Sequence, residues 1–144
     1  MPTQKVIIKK ATKKNLTTIL GIIREYQRYD VEFARRYYER FFSDKSDEMT
    51  EKDKIYVALL EDEPVGVIGY CRDYFSTDYS YWLGWFSVKK KFRRNGIGTK
   101  LLRKVEKDLK AMRRKKLFVS TEDSNKEAKS FYTANGFRTG LGCL

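Results

Sequence analysis

The sequence predicts a mixed α/β domain, and three observations predict it. Two short apolar runs, 55–60 and 65–70, flank the turn Glu61-Asp62-Glu63-Pro64 and read as an antiparallel hairpin. A third run, Tyr79 to Val88, is rich in aromatic and β-branched residues and leads through a short glycine-containing turn into a helix. That helix is followed almost at once by another strand-like run, Leu117 to Thr121, so strand, helix and strand form a crossover that sets the outer two parallel. Antiparallel and parallel pairs thus share one sheet. The 144 residues suffice for one domain with a real core, and no repeat, linker or low-complexity stretch divides 1–144.

Taken in order, Lys5 to Lys9 is a plausible first strand. Thr12 or Asn15 is a candidate N-cap for a helix whose apolar face is Leu16, Ile19, Leu20, Ile22 and Ile23. A second helix is expected from about Asp30 to Phe42, and its stripe Val31, Phe33, Ala34, Tyr37, Tyr38, Phe41 and Phe42 reads as core packing. Ser43 to Lys54 is polar and acidic and reads as a loop, and Asp73 to Asp78 reads as a turn. The helix from Ile97 to about Met112 carries apolar residues at 97, 101, 102, 105, 109 and 112, one face at the helical period. Ser124 can cap a last helix, Asn125 to about Asn135, which Gly136 ends; Phe137 begins whatever final strand remains.

The turn between Val88 and Ile97 holds the chemistry. It contains Lys89, Lys90, Lys91, Arg93 and Arg94, with Gly96 inside it and Gly98 just beyond. The first N–H groups of a helix lack intrahelical partners, and the helix dipole places partial positive charge there. Glycines let a bulky anion approach the backbone, and the arginines add fixed charge, so the turn is suited to phosphate. It matches neither G-x-x-x-x-G-K-(S/T) nor G-x-G-x-x-G.

Composition narrows the chemistry further. The chain has no histidine, which excludes His-based triads, His-ligated zinc and His as general base. Cys71 and Cys143 fit no metal or redox spacing; Cys71 reads as a buried free thiol, and no metal is expected. No apolar run approaches the roughly 20 residues that span a membrane, and the N-terminus lacks a signal-peptide h-region, so a soluble cytoplasmic protein is expected. The formal net charge of +12 sits in one segment: Lys89 to Lys116 holds fourteen Lys or Arg and two acids, while the remainder balances to zero. A solvated helix face, steering of a polyanionic ligand and nucleic-acid binding all accommodate it.

Phe86-x-Val88 followed by Arg93-x-x-Gly96-x-Gly98 resembles the pyrophosphate signature (R/Q)-x-x-G-x-(G/A) of the GNAT family of N-acetyltransferases. Asn125-x-x-Ala128-x-x-Phe131-Tyr132-x-x-x-Gly136-Phe137 resembles that family's second recurrent segment, in the right order and with one strand between. The resemblance covers about Ile55 to Phe137; the N-terminal strand and helices match in layout. It implies a GNAT-like acyl-CoA N-acyltransferase fold: a central twisted mixed sheet with helices on both sides. Strands 79–88 and 117–121 would splay at their C-terminal ends to leave a slot. It further implies acetyl-CoA as cosubstrate and transfer of its acetyl group directly to a primary amine of a small molecule or protein. Backbone groups of Arg94, Asn95, Gly96, Ile97, Gly98 and Thr99 would hold the pyrophosphate, with Arg93 positioning the turn and side chains at 94, 95 and 97 free to vary. Phe86, Ser87 and Val88 would run beside the pantetheine arm, the Val88 N–H near the thioester oxygen. Asn125 would bond the arm or the substrate, and Phe131 would contact the cofactor. Tyr132 would be the general acid, since a phenol of pKa about 10 can protonate a thiolate whose acid has pKa about 8.5.

The sequence departs from many relatives in having no acid between Tyr79 and Val88. Glu122, Asp73, Asp78 or a water chain are the alternatives for the base. Only seven residues follow Phe137, fewer than the family's usual hairpin, so an open acceptor site or completion by a second subunit, a homodimer, is expected. The acidic stretch Asp44 to Asp53 could draw a cationic acceptor. Two readings compete with the enzyme: a nucleic-acid-binding protein using the 89–116 face, disfavoured because aromatics do not interleave with the cations, and a CoA-binding sensor without turnover.

Overall fold

A computed structural model describes residues 5–25, 31–43, 54–73, 80–113, 116–121 and 124–138. The elements are β1 (Val6–Lys10), α1 (Leu16–Arg24), α2 (Val31–Phe41), β2 (Lys54–Leu60), β3 (Glu63–Arg72), β4 (Ser80–Val88), α3 (Ile97–Ala111), β5 (Lys116–Phe118) and α4 (Lys126–Ala134). The sheet order is β1-β2-β3-β4-β5, antiparallel from β1 to β4 and parallel between β4 and β5. The hairpin, the crossover and the mixed sheet are therefore as the sequence indicates.

The predicted acidic turn is tighter than expected. Glu61 and Asp62 adopt φ of 50° and 66° and join Leu60 directly to Glu63, so Glu63 and Pro64 already belong to β3. Positive φ at both central residues is the twist-compatible hairpin geometry. Thr12 and Asn15 bracket a short 3₁₀ turn ahead of α1, where Asn15 Oδ1 accepts the Thr12 N–H at 2.8 Å. The cap of α4 is Asn125, not Ser124: its Oδ1 accepts the Ala128 N–H at 3.0 Å. Gly136, at φ 92°, ends that helix as predicted. Phe137 and Arg138 form no strand.

Side-chain alternation in the strands divides the core between two faces of the sheet. On one face, Ile97, Leu101, Leu102, Val105 and Leu109 of α3 pack on Tyr56, Val65, Ile68, Tyr70 and Tyr81, joined by Phe131 and Tyr132 of α4. On the other, Ile19, Leu20, Ile22 and Ile23 of α1 and Val31, Ala34 and Tyr38 of α2 cover Ile55, Val57 and Val67. Helices thus lie on both sides. The α2 stripe is core except for Phe33, which is 66% exposed. Met112, expected on the buried face of α3, lies just past the helix end and is exposed. Cys71 forms no disulfide among the described residues and is only half-buried.

One polar cluster lies beneath α3. Asp108 Oδ2 accepts hydrogen bonds from the Tyr56 and Tyr70 hydroxyls, the latter at 3.0 Å, and Lys104 Nζ stands 3.4 Å from Oδ1. Burial, then the adjacent carboxylate, pushes both phenols well above their ordinary pKa. The cluster ties the C-terminal half of α3 to β2 and β3, and so fixes the direction in which its N-terminus points.

Candidate active site

The pairing of β4 with β5 covers only Ser80↔Lys116, Tyr81↔Leu117 and Trp82↔Phe118. Beyond it β4 runs on to Val88, whereas the chain after Phe118 leaves the sheet. The predicted strand 117–121 is therefore three residues long and starts one residue earlier. The physical reason lies in β4. Its register against β3 shifts between Val67↔Ser87 and Gly69↔Gly84, so two residues, Trp85 and Phe86, oppose Ile68 alone. Trp85 sits at φ 54° in this bulge. A bulge bends and twists its strand, and the edge past it no longer runs parallel to β5.

The resulting cleft, of about 1370 Å³, opens between the diverging strands and runs under the N-terminus of α3 to the first turns of α4. Of the residues singled out in the sequence, Phe86, Ser87, Val88, Arg93, Arg94, Gly96, Ile97, Gly98, Thr99, Asn125, Phe131 and Tyr132 line it. Asn95 does not: its Nδ2 donates to the Phe92 carbonyl at 3.1 Å, bracing the turn from outside. Nor is Ile97 free to vary, since its side chain is 3% exposed in the core. The expectation of unconstrained side chains at 95 and 97 is thus corrected; at each a side chain supports the turn.

Backbone orientation follows from the ladder. The Lys89 N–H donates to the Val65 carbonyl at 2.9 Å, and Ser87 pairs with Val67. Alternate residues of a strand face alternate edges, so beyond the bulge the C=O of Phe86 and the N–H and C=O of Val88 face the cleft. The Val88 carbonyl accepts from Arg93 Nε at 3.0 Å. Arg93 is thereby a brace between the end of β4 and the turn, which leaves the Val88 N–H and the Phe86 C=O toward the cleft.

The turn itself has the geometry of an anion cradle. Arg94 and Gly96 both have positive φ, 66° and 77°, and Gly96 is the N-cap of α3 with no side chain to cap its free N–H groups. A Cβ on Gly96 would meet nothing within 4 Å, so the space beside it is open. Three aromatic rings fix α4 against β4: Phe86 lies 5.6 Å from Phe131 and 6.3 Å from Tyr132, edge-on in both cases, and Phe131 lies 5.5 Å from Tyr132. Asn125 Oδ1 is used by its helix cap, so its amide NH₂ is the end suited to donate to a ligand.

The sequence did not point to Glu25. It lines the cleft from the end of α1, and its Oε2 accepts the Lys90 N–H at 3.0 Å, linking α1 to the turn after β4. Its only sequence signal is a polar residue ending an amphipathic run. Of the base candidates, Asp73 lies at the far end of the β3–β4 pair, its N–H bonded to the Ser80 carbonyl, and does not line the cleft. Glu122, Asp78, the acidic stretch Asp44 to Asp53 and Cys143 lie outside the described residues.

A family model, the acetyltransferase (GNAT) family, matches residues 17–137. The chain belongs to the GNAT acetyltransferase family. No curated protein matches it in sequence. Among solved structures it is similar to an aminoglycoside N-acetyltransferase in complex with CoA (16% identity, 100% of this chain and 95% of that one, TM-score 0.79). It is similar also to a transcriptional regulator from Bacillus halodurans (20%, 97% of each chain, TM-score 0.76) and to a predicted acetyltransferase with acetyl-CoA from Clostridium acetobutylicum (14%, 97% and 94%, TM-score 0.74). At these identities the likeness is one of fold. Among the described residues no helix is long and apolar enough to cross a membrane.

Proposed function

We propose that this GNAT domain, 1–144, is a soluble cytoplasmic N-acetyltransferase that moves the acetyl group of acetyl-CoA directly to a primary amine. One observation carries the reading: a single cleft joins an anion cradle at the N-terminus of α3, outward-facing strand backbone at Phe86 and Val88, and a phenol at Tyr132. Acetyl-CoA supplies an activated thioester. The N–H groups at the start of α3 take the pyrophosphate, with Arg94 adding charge. The Phe86 backbone and the Val88 N–H pair with the pantetheine amides in the manner of an added strand.

The amine nitrogen attacks the thioester carbon, the C–S bond breaks and a C–N bond forms. The Val88 N–H faces the oxygen on which negative charge grows. The departing sulfur takes a proton from Tyr132, the proton lost by the nitrogen passes to water in the open cleft, and water returns a proton to the Tyr132 phenolate. With no acid on β4, holding both substrates in register supplies much of the rate. The cleft's own carboxylates, Glu25 and Glu127, are exposed and favour a cationic acceptor at its mouth. The acceptor is a primary amine of a small molecule or of a protein, and a second subunit is a route to completing the cleft wall.

The test is release of CoA thiol from acetyl-CoA with a panel of polyamines, amino acids, aminoglycosides and lysine peptides. Turnover with at least one amine well above hydrolysis is expected. Tight CoA binding with no turnover on any amine would replace the enzyme by a CoA-responsive sensor.

A further inference from the structure

The cleft does not use most of the cationic segment. Along α3, Lys100, Arg103, Lys107 and Lys110 are exposed and recur at three and four residues, so they form one stripe. Its two acids neutralise little of it. Glu106 pairs with Arg103 at 2.7 Å and Asp108 with Lys104 at 3.4 Å, and among the described residues Lys100, Lys107 and Lys110 form no ion pair. Between this stripe and the outer strand β1 runs a shallow groove of about 370 Å³, lined by Ile8, Thr99, Lys100, Arg103, Lys104 and Lys107 and by no carboxylate. It lies on the β1 flank of α3, away from the β4–β5 cleft, and the two share only Thr99.

We propose that this stripe, beside the mostly apolar groove, binds the phosphodiester backbone of a nucleic acid, as a site separate from the cleft. Charge spacing favours that occupant. From Lys100 to Lys110 α3 rises about 15 Å. One strand of a duplex presents a phosphate about every 3.4 Å along its axis while winding around it, so a straight stripe of this length meets about three phosphates, matching the three cations without an ion pair, Lys100, Lys107 and Lys110. Every exposed stripe position is a cation, so nothing there inserts into a bilayer and a membrane surface would be held by charge alone. The stripe also lacks aromatics for base stacking, so binding is independent of sequence.

The test is fluorescence anisotropy of a labelled duplex of about 20 base pairs, with and without saturating CoA. Three neutralised phosphates give a log–log salt slope near −2.7, which weakens binding about fortyfold between 50 and 200 mM salt. The triple variant Lys100→Gln/Lys107→Gln/Lys110→Gln is expected to weaken binding at least tenfold and to bring the slope near zero. A control with the same loss of charge elsewhere, Lys9→Gln/Lys13→Gln/Lys14→Gln, should bind like wild type. Absence of binding at 50 mM salt, equal loss in both triple variants or displacement of the duplex by CoA would each overturn the proposal. Tighter binding of polyglutamate or of anionic vesicles than of the duplex would also overturn it, by assigning the face to an acidic protein or a membrane.

Discussion

Replacing Gly96 by alanine separates two consequences of the turn's geometry. Gly96 caps α3 at φ 77°, a conformation that costs an L-residue about 1–2 kcal/mol. Its added Cβ would meet nothing within 4 Å, so no clash adds to that cost. For a chain of this size the loss should lower Tm by about 3–8 °C. Binding should suffer separately. The Cβ would enter the open space beside the first α3 N–H groups, where the pyrophosphate is proposed to lie. Losing one charged hydrogen bond costs about 1.5–3 kcal/mol, or roughly ten- to hundredfold in Kd. Thermal melts give the first quantity; calorimetry with CoA, far enough below Tm that the protein is fully folded, gives the second. A Tm within 1 °C of wild type would refute the left-handed cap, and a Kd within twofold would refute the phosphate assignment even if Tm falls. Gly96→Val should give a larger binding loss of the same kind.

Tyr132→Phe should lower kcat at least tenfold with little change in acetyl-CoA Kd; a wild-type kcat would assign thiolate protonation to another group. Asp108→Ala strands two buried phenols, each losing a bond to a charged acceptor worth about 1.5–3 kcal/mol, so denaturant titration should read a loss of about 3–5 kcal/mol. Tyr38 is fully buried and its hydroxyl has no partner among the described residues, so Tyr38→Phe should raise stability by about 1 kcal/mol. Burial raises the pKa of Tyr38, Tyr56 and Tyr70 in the folded state, which binds their protons more tightly than the unfolded chain does. Their contribution is therefore complete below about pH 10 and declines above it, by up to about 1.4 kcal/mol per pH unit for each group, until the folded phenols ionise. Tyr38→Phe should make the alkaline fall measurably shallower than in wild type.

The parts of the fold legible in the sequence were those written in short-range pattern. The apolar period of α1 and α3, the acidic turn after Leu60 and the glycine after Asn135 each report local energetics, and each element formed within a residue or two of its expected bounds. The residues that line the cleft were legible for a related reason, because most of them sit in two local motifs, 86–99 and 125–137. What the sequence concealed came from tertiary constraint. No local preference puts a tryptophan at positive φ, so the bulge at Trp85 could not be read from the sequence, and with it went the true length of β5. Glu25 reaches the cleft only because α1 packs on the β2–β3 face and ends beside Lys90. Asn125 outcompeted Ser124 as cap by one residue, a shift within the usual uncertainty of helix ends. Asn95 looked variable because its work, bracing the turn through the Phe92 carbonyl, leaves no trace in periodicity.

The cleft between β4 and β5 is proposed as an acetyl-CoA site, and ligand-induced thermal stabilisation of residues 1–144 is its decisive test. Acetyl-CoA and CoA, each at a hundredfold excess over Kd, should stabilise the folded protein by about 2.7 kcal/mol, while ATP, which lacks the pantetheine arm, should do far less at the same concentration and moderate salt. No shift with either CoA species, or an equal shift with all three, would contradict the account.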